Sequence, residues 1–116
     1  MRRPADPFWW LLFGAGGFIA ALLAPVLILL TGIAAPAGWT GSAFSYDRLL
    51  TISRHPLSRL VLLGVISLSF LHAAHRLRYT LPEGFGLERV SAAVAVLCYG
   101  AAIAGTLAAA VILLGL

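Results

Sequence analysis

No charged side chain interrupts the chain from Pro7 to Tyr46, and none from Val90 to Leu116. Runs this long and this apolar predict membrane-spanning helices. A helix of ~20 apolar residues crosses the hydrocarbon core, and lipid offers no partner to an unpaired backbone N–H or C=O. A third apolar run, Leu60 to Ala74, is shorter and lies between Arg59 and the pair Arg76 and Arg78. Arginine at a span end reaches the headgroups along its aliphatic stem. The pattern predicts an all-α integral membrane protein with three transmembrane helices, up-down-up. The spans fall at about 9–35, 57–80 and 88–114 and occupy most of the 116 residues. The chain therefore reads as a single membrane-anchor domain, 1–116, without a soluble domain.

The punctuation between the runs sharpens these elements. Phe8, Trp9 and Trp10 stand at the entry of the first span, where amphipathic rings settle at the membrane interface. Pro25 falls mid-span and predicts a kink. Gly14, Gly16 and Gly17 offer a flat patch to another helix backbone. Pro36, Gly38 and Gly41 break the chain into a connection, residues 37–55. Within it Ser45, Asp47 and Arg48 predict a short surface helix with Ser45 as N-cap. Pro56 suits the first turn of the second span, and Pro82, Gly84 and Gly86 turn the chain after it. The third span is rich in small residues. Gly100, Ala104 and Ala108 recur at every fourth position, a spacing that favours close helix packing, and this span reads as scaffold.

Charge sets the orientation. All eight basic residues are arginine, and the formal net charge is +4. They sit at span ends and form no patch, which points to lipid headgroups and not to nucleic acid. Arg2, Arg3, Arg76, Arg78 and Arg89 share one side; Arg48, Arg54 and Arg59 take the other. The excess places the N-terminus in the cytoplasm. Arg2 and Arg3 before an apolar run imitate a signal peptide. The run is too long, and no small-residue cleavage site follows a short apolar core, so an uncleaved first span is expected. Cys98 is the single cysteine; alone, it forms no intrachain disulfide and holds no iron–sulfur cluster.

The end of the second span carries the candidate chemistry. His72, His75 and Arg76 lie three and four apart and share a helix face, which Tyr79 extends. The first span runs antiparallel to the second, so Trp9 and Trp10 lie at the same depth. Indole, imidazole and guanidinium then meet at one membrane interface. Three uses suit them. They anchor the helix or bond between helices. They bind a quinone, with histidine titrating near neutral pH, arginine stabilising negative charge and tryptophan donating a hydrogen bond. Or His72 or His75 gives an axial ligand to haem. Arg54 and His55, at the opposite membrane face, are solvated loop residues or contacts to a second quinone or a partner helix.

At these residues the chain resembles the D subunit of fumarate reductase, the hydrophobic anchor of the quinol:fumarate oxidoreductase complex. The resemblance rests on Pro7-Phe8-Trp9-Trp10-Leu11-Leu12-Phe13-Gly14-Ala15-Gly16-Gly17, Ala24-Pro25-Val26, Ser45-Tyr46-Asp47-Arg48 and His75-Arg76. These keep their order over residues 7–78; the third span matches only in length and apolar character. The resemblance implies a multi-pass protein of the bacterial inner membrane. Its implied partners are a C-type anchor subunit, an iron–sulfur subunit and a flavoprotein subunit. It implies that menaquinol is oxidised at the anchor, that Trp10 donates to a quinone oxygen and that His75 and Arg76 belong to the site. It also implies no haem, with flavin and iron–sulfur clusters held only by the partners. Arg78 and Tyr79 stand where the family often has further histidines, and His72 is an addition.

The expected function is a non-catalytic anchor of fumarate reductase that shares in a menaquinol site. The expected quinone-binding residues are Trp10, His75 and Arg76, with further polar contacts from His72, Arg54 and His55. Two other readings differ in class: a haem- or ubiquinone-binding anchor of succinate dehydrogenase, and a small membrane interaction or transport subunit. Against transport, no acidic residue lies within a span beyond Glu88 at the entry of the third.

Overall fold

The computed structural model describes residues 6–116, which leaves the N-terminal Arg2 and Arg3 outside the described residues. Helix α1 (Asp6–Leu27) continues into a π-helical stretch, Ile28–Ala34. A short 3-10 turn, Gly41–Phe44, leads to the surface helix α2 (Tyr46–Arg54). Helix α3 (Pro56–Phe85) returns, and after a second 3-10 turn, Glu88–Val90, helix α4 (Ser91–Gly115) completes the order. Three helical segments are long and apolar enough to cross a membrane: Pro7–Ala34, Pro56–Phe85 and Glu88–Gly115. No strand occurs among the described residues.

Pro25 acts through helix register. It withdraws the amide that would bond the Ala21 carbonyl, and from Ile28 the turn widens to i→i+5. The Ala35 amide donates to the Leu30 carbonyl at 2.8 Å, and the Thr31 hydroxyl donates to the Leu27 carbonyl at 2.6 Å, at the junction of the two registers. The first span thus passes its proline without breaking. Gly38 (φ 79°) and Gly41 (φ 54°) then supply the left-handed turns that release the chain from the membrane.

One capping expectation and one turn expectation change. Ser45 occupies the N-cap position of α2 with extended dihedrals, but its side chain makes no capping bond. His55 is the side chain that caps: its Nδ1 accepts from the Leu57 amide at 3.2 Å, with Pro56 in the first turn of α3. Pro82 does not turn the chain. Helix α3 runs through it to Phe85, so the second span ends later than the expected residue 80. Gly86, at φ 64°, terminates it, and the amides of Gly86 and Leu87 both converge on the Pro82 carbonyl. At 30 residues α3 is about 45 Å long, well beyond a ~30 Å hydrocarbon core, so its polar last turns reach the headgroup region.

Helix α3 is the central element. Helices α1 and α4 each pack against it and scarcely against one another. The interior is built from small residues: Ala74 is 3% exposed and Ala102 is 4% exposed, and among the described residues no large side chain is fully buried. Helices in lipid gain little from hiding apolar area from lipid tails, so close backbone approach and van der Waals packing bring them together. At Gly16 an added Cβ would collide with the Leu68 carbonyl, and at Gly17 with the His72 ring. Gly105 lies under Phe70, whose Cε2 would stand 2.8 Å from an added Cβ.

The stripe Gly100, Ala104 and Ala108 faces outward and is exposed, so it packs no helix of this chain. Helix α4 turns Ala102, Gly105 and Leu113 inward instead. The Phe70 ring needs a site without a Cβ, and Gly105 provides it. At the far end the Arg54 Nε donates to the Leu116 carbonyl at 2.7 Å, joining the end of α2 to the end of α4.

Gly17→Val is expected to destabilise the α1–α3 pair by ~1–3 kcal/mol, the usual cost of overpacking. Gly100→Val, on the exposed face, is expected to be near neutral. Unfolding of the detergent-solubilised protein in a denaturing surfactant series measures both; equal losses would show that the glycines do not set the helix spacing.

Candidate functional site

The antiparallel packing of α1 on α3 brings the first turns of one to the last turns of the other. Between them opens a cleft of about 620 Å³. Helix α1 lines it with Trp10, Phe13 and Gly14, and α3 lines it with His72, His75, Arg76 and Tyr79, with Thr80 and Glu83 at the outer end. The helical spacing of the α3 residues puts them on one face. Gly14 does not pack as expected of the glycine patch: a Cβ there would meet nothing within 4 Å, so the position leaves the cleft open.

His75 is the hub. Its ring stacks on Phe13 at 4.2 Å between centroids and 10° between planes. Tyr79 meets it edge-on at 5.3 Å and 80°, and Trp10 at 6.3 Å and 79°. Across the α3–α4 interface, His75 Nδ1 lies 3.1 Å from the Tyr99 hydroxyl. The Arg78 guanidinium lies 5.0 Å from the Tyr79 ring centroid and 5.8 Å from that of Tyr99, within cation–π reach of both.

His72 does different work one turn earlier. Its Nδ1 lies 2.9 Å from the Phe13 carbonyl, while its ring covers Gly17. A carbonyl only accepts, so Nδ1 carries the proton and donates. The bond ties α3 to the backbone of α1 and holds Phe13, which in turn carries the His75 ring.

The structure therefore brings Trp10, His72, His75 and Arg76 to one cleft. Trp10 is 74% exposed and borders it. Its neighbour Trp9 packs against Phe8 and Phe13 and contributes to a smaller recess beside the cleft. Arg76 is exposed at the cleft edge. Arg54 and His55 do not join this group; each is engaged with a helix end, Arg54 at Leu116 and His55 at Leu57.

The sequence reasoning missed Phe13 and Tyr99. Phe13 follows Trp10 by three positions and so shares its helix face, a signal that was available. Tyr99 stood in a helix read as scaffold. A phenol inside an apolar helix asks for a hydrogen-bond partner, and that requirement was the overlooked sign. Among the described residues no group of three or more His, Cys, Asp or Glu side chains is placed to hold a metal ion.

Comparison with known proteins gives a consistent result. The family model for the D subunit of fumarate reductase matches residues 1–114. The fumarate reductase D subunit of Mycobacterium tuberculosis is 47% identical over 113 residues, 97% of this chain and 90% of that protein. The Mycobacterium bovis protein of the same name gives the same figures. That of Vibrio cholerae is 34% identical over 100 residues, 85% of this chain and 75% of that protein. No solved structure gives a significant match. A helical chain with three apolar spans, alike to these proteins almost from end to end, belongs to the family of fumarate reductase D subunits, membrane anchors of the fumarate reductase complex.

Proposed function

We propose that this chain anchors the flavoprotein and iron–sulfur subunits of fumarate reductase to the bacterial inner membrane and pairs there with a C-type anchor subunit. It takes no catalytic part in fumarate reduction and lends one wall to the menaquinol oxidation site. The observation that carries the reading is the cleft between α1 and α3, where an indole, an imidazole and a guanidinium border an apolar slot. The slot suits a flat apolar ring with two oxygens. Phe13 gives an apolar wall, Gly14 keeps the space free, and the donors stand at the rim.

Each residue has a role matched to its chemistry. The Trp10 N–H donates to a ring oxygen. His75 exchanges a proton with that ring. Arg76 supplies a permanent positive charge at the cleft mouth, which favours the reduced, electron-rich form of the ring oxygens. When bound, menaquinol supplies two electrons and two protons. Trp10 and Arg76 are exposed in this chain, so the remaining walls come from partner subunits. With the N-terminus in the cytoplasm, as the arginine distribution favours, the cleft lies at the cytoplasmic end of the spans, beside an iron–sulfur partner seated on that face. The chain has one cysteine, so the clusters that accept the electrons belong to a partner.

Trp10→Leu in the assembled complex is expected to lower menaquinol-coupled fumarate reduction roughly tenfold or more, the scale of a lost buried hydrogen bond. Turnover with a reduced viologen dye, which bypasses the anchor, should be nearly unchanged. Equal loss with both donors would mean that Trp10 serves assembly and would overturn its proposed role. Gly14→Leu, at a cleft-lining position where an added Cβ meets no neighbour within 4 Å, is expected to raise KM for menaquinol several-fold while leaving complex yield intact. An unchanged KM would place the quinol elsewhere.

A further inference from the structure

We propose that Tyr99 is a positioning residue for quinol oxidation: its hydroxyl sets which nitrogen of His75 faces the cleft and leaves either of the two able to carry the proton. The inference rests on the reading of the α1–α3 cleft as the quinol site and adds the third span to it.

What holds the imidazole comes first. Stacking on Phe13, at 4.2 Å and 10°, fixes the plane of the ring. It does not fix the edge, because a half-turn about the Cβ–Cγ bond keeps the same plane and the same stack. The hydrogen bond between Nδ1 and the Tyr99 hydroxyl, 3.1 Å, breaks that degeneracy. With Nδ1 turned to α4, Nε2 is left on the far edge of the ring as the nitrogen free for the cleft. The Arg78 guanidinium, set against the rings of both Tyr79 and Tyr99, holds the phenol in place.

The kind of partner matters as much as its position. His72 and His75 share a face of α3, yet their Nδ1 atoms meet different groups. His72 meets a carbonyl, which accepts only, so its tautomer is locked. His75 meets a hydroxyl, which donates or accepts. When Nδ1–H donates to Tyr99, Nε2 is bare and can take a proton. When Tyr99 donates to Nδ1, Nε2 carries the proton and can give it. One imidazole then serves quinol oxidation and its reverse.

In oxidation Nε2 takes one of the two quinol hydroxyl protons and the other goes to water, while two electrons pass to the partner iron–sulfur subunit. The resulting imidazolium keeps its Nδ1–H bond to Tyr99. It returns to neutrality by releasing a proton to water at the interface. The polar groups around His75 are His72, Arg76, Arg78 and Tyr79 from α3 and Tyr99 from α4, with Thr80 and the Glu83 carboxylate farther along the same cleft, while α1 presents the Trp9, Trp10 and Phe13 rings. Tyr99 is thus the one hydroxyl bonded to the His75 ring nitrogen among the described residues.

The test is Tyr99→Phe in the assembled complex, which keeps the ring against Arg78 and removes one oxygen. We expect kcat for menaquinol oxidation to fall about tenfold with KM within about twofold, since the residue orients a proton acceptor and does not touch the quinol. Quinone reduction by succinate should fall to a similar extent, and turnover with reduced viologen should hold. In a His75→Ala background, Tyr99→Phe should cause no further loss, because Tyr99 acts through His75. The proposal is overturned by undiminished quinol turnover, by loss in one direction alone, by equal loss with the dye, or by additive losses in the double variant. Impaired His75→Ala beside a silent Tyr99→Phe would sink this inference and leave the quinol cleft standing. A silent His75→Ala would sink both.

Discussion

The close contact of α1 with α3 is the constraint on which the rest depends. Gly16 and Gly17 remove the side chains that would hold the helices apart, and the Leu68 carbonyl and the His72 ring fill the space. At that separation His72 reaches the Phe13 carbonyl. A hydrogen bond between helices in lipid replaces an otherwise unsatisfied polar group, although such bonds average only about 0.6 kcal/mol. Its larger effect is geometric. It sets the depth and rotation of Phe13, and Phe13 is the platform for His75.

The helices divide the labour around α3. Helix α1 supplies flat rings and open space, α3 supplies the ionisable side chains, and α4 supplies one phenol. The apolar surface that remains exposed, with Phe18, Leu22, Val96, Leu107 and Val111 among it, fits a subunit that meets lipid or other membrane helices on most sides. The cleft shares this incompleteness. It is open and not an enclosed cavity, which the proposed role of neighbouring subunits in completing its walls requires.

Proline and glycine show how far local rules reach. Pro36, Gly38 and Gly41 end the first span as their chemistry predicts. Pro82, by contrast, lies within α3, because a proline near the end of a helix removes one amide and leaves its carbonyl free to accept the terminating bonds from Gly86 and Leu87. The signal for the helix end was the left-handed glycine beyond it. His55 likewise replaces Ser45 as the side chain that caps a helix, since the Ser45 hydroxyl makes no bond to the α2 amides.

Much of this protein was written in local pattern. The absence of charge over long runs determined three spanning helices, because lipid leaves the backbone no other way to satisfy itself. Helical spacing determined that His72, His75 and Arg76 share a face, and antiparallel order determined that Trp10 comes near them. Tertiary structure alone decided which glycines pack: Gly16, Gly17 and Gly105 meet a neighbour, while Gly14 and Gly100 do not. It also decided that His72 binds backbone, that His75 binds Tyr99, and that Arg54 and His55 serve helix ends. The physical reason is rotation. Period and polarity say that a helix is buried somewhere, but in a helix apolar on every side they do not say which face turns inward. That choice is made by the fit of side chains such as Phe70 and His72 against the neighbouring backbone.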